Sequence, residues 1–261
     1  MVRAVTYILL AFCLLCSCSS SVKDIERYQL HGKVECIEVY EDETWQSVHF
    51  NTDGMLDSLI KFNPDDTLRH IYIYGEKGLL KEIRILHTNN KYEALYEYEY
   101  KGKTISSYAF RGVDMQVLYR WDYDIESCKQ IRCRCYNEGI LINTSEYTYD
   151  GLNKTEKVYT AEGELYGETT YIYDSPGKIS KINSYGFEIG VEYGDDNLPS
   201  CSTNAIIGHD GEIFTNADSH LYGTIHYEYI KDESGNWTER NELLGETKAK
   251  GKTIRRKIIY R

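Results

Sequence analysis

The sequence predicts an all-β protein, built as a long antiparallel meander of hairpin repeats that curls into a barrel-like shape. Three observations carry this prediction: tyrosines alternate with polar residues, turn residues recur at a regular spacing, and helical periodicity is almost absent. The chain of 261 residues contains 25 tyrosines and only 3 prolines. Tyrosine suits a half-buried pleated surface, because its ring packs on the sheet while its hydroxyl stays wet.

Turn-type residues recur every twelve residues over much of the chain. They are Gly54, Asp66, Gly78, Asn90 and Gly102, continued by Asp114 and Glu126 and resumed by Gly139, Gly151 and Gly163. A large apolar residue also follows two positions after a glycine at Gly54/Leu56, Gly78/Leu80, Gly139/Leu141, Gly163/Leu165, Gly177/Ile179 and Gly235/Trp237. Such a fixed period indicates a repeat architecture, in which each period is one strand and one turn. We expect roughly sixteen antiparallel strands.

The alternation assigns side chains to two faces of the sheet. Tyr96, Tyr98 and Tyr100 lie on one face of a strand, and Glu97 and Glu99 lie on the other. This pattern is typical of a sheet with one packed and one solvated face. A transmembrane barrel is the alternative, but it needs an outward apolar band, which the glutamates and lysines of the second face oppose.

The N-terminus has the features of a bacterial lipoprotein signal. Arg3 gives a short positive start, and Ala4 to Leu15 is an apolar run too short to span a membrane as a helix. The sequence Leu15-Cys16-Ser17-Cys18 resembles a lipobox, which implies cleavage before Cys18 and lipid attachment to it. We expect residues 1–17 to be the signal peptide, 18–32 the lipid anchor and tether, and 33–261 one β-repeat domain. An ordinary secretory signal, cleaved elsewhere, is the alternative.

The charge balance restricts the partners. The chain has 41 acidic and 30 basic residues, a net charge of −11, which argues against nucleic acid and against a basic patch for anionic lipid. Membrane contact is therefore expected through the lipid anchor alone. Ser19 gives no obvious signal for retention in the inner membrane, so we expect an outer-membrane lipoprotein.

Five cysteines follow the expected anchor, and an odd number disfavours a complete disulfide framework. They are Cys36, Cys128, Cys133, Cys135 and Cys201. Cys133 and Cys135 share one face of a predicted strand, at positions that tyrosines occupy elsewhere in the repeat. We interpret this pair as buried thiols that act as small hydrophobic side chains. A disulfide with Cys128 is the alternative, and a metal site is disfavoured because no histidine shares the spacing.

Two kinds of residue are candidates for ligand contact. The alternation places Trp121 and Trp237 in the core, whereas Trp45 shares the outer face with Ser47 and His49. The alternation then breaks over Gly194–Tyr222, which we interpret as one long loop insertion that is functional or a lid. This insertion contains the polar candidates His209, Asp210, Glu212 and His220, without a recognisable metal-ligand spacing. We expect no metal site, no catalytic residue and no cofactor.

The segment Tyr227–Arg240 contains the clearest single copy of the repeat, YEYIKDESGNWTER. Together with the Tyr-Asp pairs at Tyr123, Tyr149 and Tyr173, it resembles the YD-repeat (Rhs-like) family, and more closely the short lipoproteins of that type. The resemblance implies sheet-forming hairpins and an association with surface or carbohydrate binding. It carries over no catalytic residue, because the family motif is structural.

These observations predict a non-enzymatic binding or scaffold lipoprotein of the cell envelope, with a protein or glycan ligand. Aromatic faces stack on the apolar faces of sugars and also pack against protein side chains, so tyrosine-rich surfaces suit both ligands. Two alternatives remain open. One is a hydrolase with its acid and base groups in the insertion, and the other is an immunity or adaptor protein for a secreted toxin.

Overall fold

The computed structural model describes residues 24–41, 44–63, 66–75, 77–87, 92–184, 187–207, 213–214 and 223–261. These form one short helix, α1 (Asp24–Arg27), and nineteen strands. The strands are β1 (Val34–Glu41), β2 (Thr44–Phe50), β3 (Leu56–Asn63), β4 (Asp66–Tyr74), β5 (Leu80–His87), β6 (Tyr92–Lys101), β7 (Thr104–Arg111), β8 (Val117–Glu126), β9 (Lys129–Asn137), β10 (Ile140–Asp150), β11 (Asn153–Thr160), β12 (Leu165–Ser175), β13 (Lys178–Ser184), β14 (Phe187–Tyr193), β15 (Pro199–Ile207), β16 (Ile213–Phe214), β17 (Gly223–Lys231), β18 (Trp237–Leu244) and β19 (Ala249–Tyr260).

The strands form one closed antiparallel barrel. Each strand pairs with its neighbours in the sequence, and β1 also pairs with β19 over Val34–Glu41, which closes the ring. The two-residue strand β16 pairs only with β15, and β15 pairs directly with β17, so eighteen of the described strands form the ring. The predicted all-β meander with a barrel-like shape is therefore confirmed, with more strands than the sixteen expected.

Four of the repeated glycines lie in turns of one geometry. In six described turns, the first residue donates its N–H to the fifth carbonyl, and the fourth donates to the first carbonyl. The fourth residue has a left-handed backbone with positive φ, and these residues are Gly54, Gly78, Met115, Gly163, Asn197 and Gly235. Glycine adopts this conformation without steric cost, which explains its recurrence. The next strand begins two residues later, at Leu56, Leu80, Leu165 and Trp237 in the glycine-containing turns.

The two faces of the sheet differ in chemistry. The face that packs against α1 is the inner face, and the strand registers place on it most of the aromatic side chains and the aliphatic core. The outer face is crossed by ion pairs, namely Glu97–Arg111, Asp122–Arg120, Asp124–Arg134, Glu146–Arg132, Glu188–Lys181, Glu239–Arg255 and Glu38–Lys257. Most of these side chains remain partly solvated, so the pairs contribute little to stability and mark a wet surface.

The hydrophobic core lies toward the end of the barrel at which β1 begins, which we call the lower end. Ile37, Val48, Leu59 and Ile254 are buried there on the inner face, with Trp237 at the start of β18. Leu30 joins this cluster from the segment before β1, and Tyr28 packs edge-on to Phe50 with ring centroids 5.5 Å apart. Apolar burial of this kind is the main favourable contribution to folding.

Residues 24–32, which we call the N-terminal segment, are part of the folded body. The sequence analysis assigns them to a tether, but Asp24 and Leu30 are buried. The Asp24 Oδ2 atom accepts a hydrogen bond from the Leu56 amide at 2.9 Å and another from the Tyr74 hydroxyl at 2.8 Å. The tether assignment is therefore wrong for these residues, because their polar groups complete the hydrogen bonding of the lower end of the barrel.

The predicted loop insertion Gly194–Tyr222 is shorter than expected. Residues 194–198 form one of the repeated turns, and β15 then extends over Pro199–Ile207. The polar residues Pro199–Asn204 conceal this strand in the sequence because few of them are typical strand formers. Residues 208–212 and 215–222 lie outside the described residues, and they include His209, Asp210, Glu212 and His220. Within the described chain, no helix has the length and apolar character needed to cross a membrane.

Candidate functional site

Two rows of aromatic rings cover the inner face of β6, β7 and β8. The first row runs from Tyr96 to Phe110 to Tyr119, and the register pairs these residues directly across the strands. Their successive ring centroids are 4.9 Å and 6.5 Å apart. Cross-strand aromatic pairs of this kind stabilise a sheet and present a continuous apolar surface.

The second row lies one step closer to the lower end. It runs from Tyr98 to Tyr108 to Trp121, with ring centroids 5.7 Å and 4.4 Å apart. Tyr123 adds a further ring 6.2 Å from Tyr108. We call the two rows with Tyr123 the inner aromatic wall. Period-two alternation within each strand and direct register between strands together build this wall.

The inner aromatic wall becomes more exposed toward the upper end. Burial raises the pKa of the Tyr98, Tyr108 and Tyr123 phenols above its ordinary value of 10.0, and neighbouring ionisable groups raise it further. By contrast, Tyr119 remains 37% exposed and stands beside the half-buried ring of Phe110. The wall is thus anchored in packed side chains below and offers free ring surface above, as a concave binding surface requires.

Cys133 and Cys135 continue the wall on β9, where they pair with Tyr123 and Trp121. Both thiols are buried and free, as the sequence analysis expects for small hydrophobic side chains. Burial raises the pKa of Cys133 to about 12 and that of Cys135 to about 11. These thiols therefore pack the wall as neutral groups, since a thiolate is the reactive form. Cys128 is exposed and no disulfide joins it to either of them, so the alternative disulfide is not formed.

The inner face continues beyond β9 with a buried cation among tyrosines. Lys154 is 6% exposed, and its ammonium lies 4.3 Å from the centre of the Tyr147 ring and 5.3 Å from that of Tyr171. Cation–π contacts of this kind are strengthened by desolvation. The interior thus combines aromatic faces with a buried positive charge. Among the described residues, no group of three or more His, Cys, Asp or Glu side chains could hold a metal ion.

Trp45 lies on the outer face, as predicted. It stands between Tyr40 of β1 and Phe62 of β3, with ring centroids 6.1 Å from the tyrosine and 3.5 Å from the phenylalanine. Tyr40 is 41% exposed. We call these three stacked rings the outer ladder. Trp45 has a ring on each of its two faces, so it offers no free face for a ligand to stack on.

The predicted site residues are not all brought together. Trp45 lies on the outer face, while His209, Asp210 and His220 fall outside the described residues, as does Cys18. The sequence analysis identifies Trp121 as a core residue but does not pair it with Tyr108 and Tyr98. The signal that could have found this row is the strand register, which the regular turns specify once their geometry is known.

Comparisons with known proteins add only weak structural likenesses. No protein-family model matches the chain, and no curated protein matches it. A porin-like protein from Bacteroides uniformis is similar over 88% of this chain and 96% of its own, with a TM-score of 0.39 and 12% sequence identity. A porin-like protein from Bacteroides vulgatus is similar over 87% of this chain and 98% of its own, with a TM-score of 0.31 and 14% identity.

Proposed function

We propose that the protein is a non-enzymatic binding module of the cell envelope, which holds a glycan ligand against the inner aromatic wall. The observation that carries this proposal is the wall itself, with Tyr119 partly exposed at its upper edge. Packed rings beneath this edge give it rigidity, so little conformational entropy is lost when a ligand stacks on it. A glycan fits an enclosed concave surface better than a folded protein does, because a single sugar chain is narrow enough to enter the interior of the barrel.

The envelope location in this proposal rests on the sequence. Leu15-Cys16-Ser17-Cys18 supports lipid attachment at Cys18, and Ser19-Ser20-Ser21 supplies a polar connection to the body. The charged outer face is consistent with a body that stays in the aqueous phase beside the membrane. The lipid anchor alone would then hold the protein at the outer membrane.

A glycan array with the purified full chain tests the binding proposal. One tyrosine variant and one tryptophan variant serve as a matched pair. Tyr119→Ala removes the exposed ring of the inner aromatic wall, and we expect it to weaken glycan binding about tenfold, or by about 1.4 kcal/mol. Trp45→Ala removes an aromatic ring from the outer ladder, and we expect it to leave glycan binding unchanged. The reverse pattern would assign binding to the outer face instead.

The same preparation tests the non-enzymatic part of the proposal. We expect no release of reducing sugar from any polysaccharide that the wild-type chain binds. Turnover that disappears in His209→Ala would overturn this expectation and favour the hydrolase alternative, with the insertion as its active site. Equal turnover in wild type and His209→Ala would point to a contaminating enzyme. The protein must then be purified again before glycan binding is measured.

A further inference from the structure

The last strand contains three consecutive basic residues with unequal surroundings. Arg255 and Lys257 point outward, and each has a carboxylate partner: the Arg255 Nε atom lies 3.1 Å from Glu239, and the Lys257 Nζ atom lies 3.3 Å from Glu38. Arg256 lies between them, so alternation places it on the inner face with the apolar residues of β19. The alternation in TIRRKIIY alone predicts that Arg256 faces inward.

The guanidinium of Arg256 is held in place, and two of its nitrogens have no acceptor among the described residues. Its Cζ atom lies 3.4 Å from the centre of the Trp237 ring, on which the guanidinium rests. Its Nε and Nη1 atoms are buried and find no hydrogen-bond partner among the described residues. Stacking on a ring leaves the N–H groups in the guanidinium plane free, which is the edge that recognises a carboxylate or phosphate in a bidentate way.

A second inward arginine reinforces the same site. Arg240 of β18 lies with its Cζ atom 6.0 Å from the Trp237 ring and 5.3 Å from the Tyr227 ring. One of its nitrogens, Nη2, donates to Glu242 at 3.0 Å, but its Nε atom is buried without a partner in the described chain. Two guanidinium groups thus share the Trp237 ring, and the Glu242 carboxylate contacts one of them, that of Arg240.

The electrostatics of this pair are unfavourable without a further negative charge. Burial and the nearby charge of Arg240 together lower the pKa of Arg256 to about 9, although Tyr28 and Tyr229 act in the opposite direction. A buried cation with free N–H groups costs free energy unless an anion compensates it. Neither group is sealed from solvent, since the Arg240 side chain remains 28% exposed and Arg256 is partly exposed. A ligand group can therefore approach the pair, and a small shift of either side chain would open its buried nitrogens to that group.

We propose that Arg256 and Arg240 together bind one oxyanion group of the ligand inside the barrel, and that the ligand is an acidic sugar that carries a carboxylate. This inference rests on the proposed function and specifies its substrate class. The net charge of −11 disfavours a polyanion, so the site suits a ligand with a single charge or a few charges. The sugar rings would stack on aromatic faces while the carboxylate meets the paired guanidinium groups.

The test measures the melting temperature of the full chain with added sodium glucuronate, glucose, inorganic phosphate or sodium chloride, at matched ionic strength. Because an anion that binds only the folded state stabilises it by mass action, we expect glucuronate to raise the melting temperature in a saturable way. Arg256→Gln should need at least tenfold more glucuronate for the same rise. Arg255→Gln changes the outward neighbour and should respond like the wild type.

Each remaining outcome supports or overturns the inference. A rise with phosphate that matches the rise with glucuronate would support the oxyanion site and overturn the sugar assignment. An equal response of wild type and Arg256→Gln, or an equal effect of sodium chloride, would overturn the site.

Without added anion, Arg256→Gln should melt no lower than wild type, because it removes an uncompensated charge. If it fails to fold, Arg240→Gln replaces it in the same comparison. Loss of neutral glycan binding in Tyr119→Ala is a separate readout, which distinguishes failure of this site from failure of the proposed function.

Discussion

His70 is a half-buried titratable side chain on the inner face of β4. Its direct neighbours across the sheet are Leu59 and Ile85, and Lys61 lies on the same face one residue pair away. Burial, together with the charge of Lys61, lowers the pKa of His70 from its ordinary value of 6.5 to about 4. Burial also lowers the pKa of Lys61 itself. The fold therefore holds His70 neutral at physiological pH.

This shift predicts a loss of stability in acid. Between pH 6.5 and about 4 the unfolded chain binds a proton at His70 that the folded chain does not, so the free energy of unfolding falls as the pH decreases. Over this range the free energy of unfolding changes by about 1.4 kcal/mol per pH unit at most. Partial solvation of the side chain makes the real change smaller. Denaturant unfolding at a series of pH values should show a shallower acid loss for His70→Gln than for wild type. Lys61→Met should move the lower limit of the loss to higher pH, and identical profiles for all three chains would contradict the assignment.

The residue scale is where the sequence predicts most. The orientations of Trp45, Trp121 and Trp237 follow from alternation, because successive side chains of a strand point to opposite faces. The thiols of Cys133 and Cys135 follow from the same rule. The same rule predicts the inward orientation of Arg256 and His70, since both alternate with apolar neighbours. The free-energy cost of burying them depends on their partners across the sheet, which the local sequence does not give.

At the scale of elements, the N-terminal segment is joined to the β17–β18 turn through Asn236, which is 0% exposed. The Asn236 Oδ1 atom accepts a hydrogen bond from the His31 amide at 2.6 Å. Its Nδ2 atom donates to the His31 carbonyl at 2.9 Å and to the Tyr260 hydroxyl at 2.7 Å. One side chain thus joins three parts of the chain that are distant in sequence. Without Asn236, three hydrogen bonds that hold the N-terminal segment and the last strand to this turn would be lost.

This arrangement predicts a large stability effect for one residue of the repeated turn. Asn236→Ala should lower the free energy of unfolding by about 3 kcal/mol, because the fully buried Asn236 side chain makes three hydrogen bonds that alanine cannot replace. The matched control is Asn241→Ala on the outer face of β18, where Glu239 and Thr253 are the partly exposed partners. We expect its effect to stay within about 1 kcal/mol, because water can replace those partners. Chemical denaturation of the three chains measures both values, and equal losses in the two variants would refute the joining role of Asn236.

The turns show why some elements are predictable and others are not. Glycine marks the positive-φ position at Gly54, Gly78, Gly163 and Gly235, and there the sequence predicts both the turn and the start of the next strand. At Asn197 the same position is filled by an asparagine, which also tolerates positive φ. The sequence analysis consequently merges this turn and the following β15 into one long loop. The role of the N-terminal segment depends on contacts with distant turns, which local patterns do not encode.

At the scale of the whole molecule, closure of the barrel is the feature that the sequence leaves open. Alternation and short turns specify each hairpin, but the pairing of β1 with β19 joins residues from the two ends of the chain. The rule that long sheets twist and avoid free edges predicts curling, yet it does not specify the partner strands. Closure gives the tyrosine face an enclosed interior, which turns a repeated structural motif into a candidate binding surface.

The chemistry of the outer face distinguishes a barrel that spans the membrane from a barrel that a lipid anchor holds beside it. A barrel that spans a bilayer needs an outward apolar band, because charged side chains on the lipid face are costly. Here the outward positions of β6 to β10 include Glu97 with Arg111 and Asp124 with Arg134, each as an ion pair. We therefore expect the body of the protein to stay outside the hydrocarbon and the acyl chains on Cys18 to supply the membrane attachment.

This view predicts that one substitution releases the protein from the membrane. In cells that express the full chain, Cys18→Ser should abolish acylation and move the protein from the membrane fraction to the aqueous fraction, without detergent. Fractionation with mass spectrometry of the N-terminus measures both effects, and Cys128→Ser is the matched control because its thiol is exposed but lies in a turn of the barrel. A Cys18→Ser chain that stays in the membrane until detergent is added would mean that the barrel itself inserts, and a wild-type chain that begins elsewhere than residue 18 would remove the lipid anchor from the account.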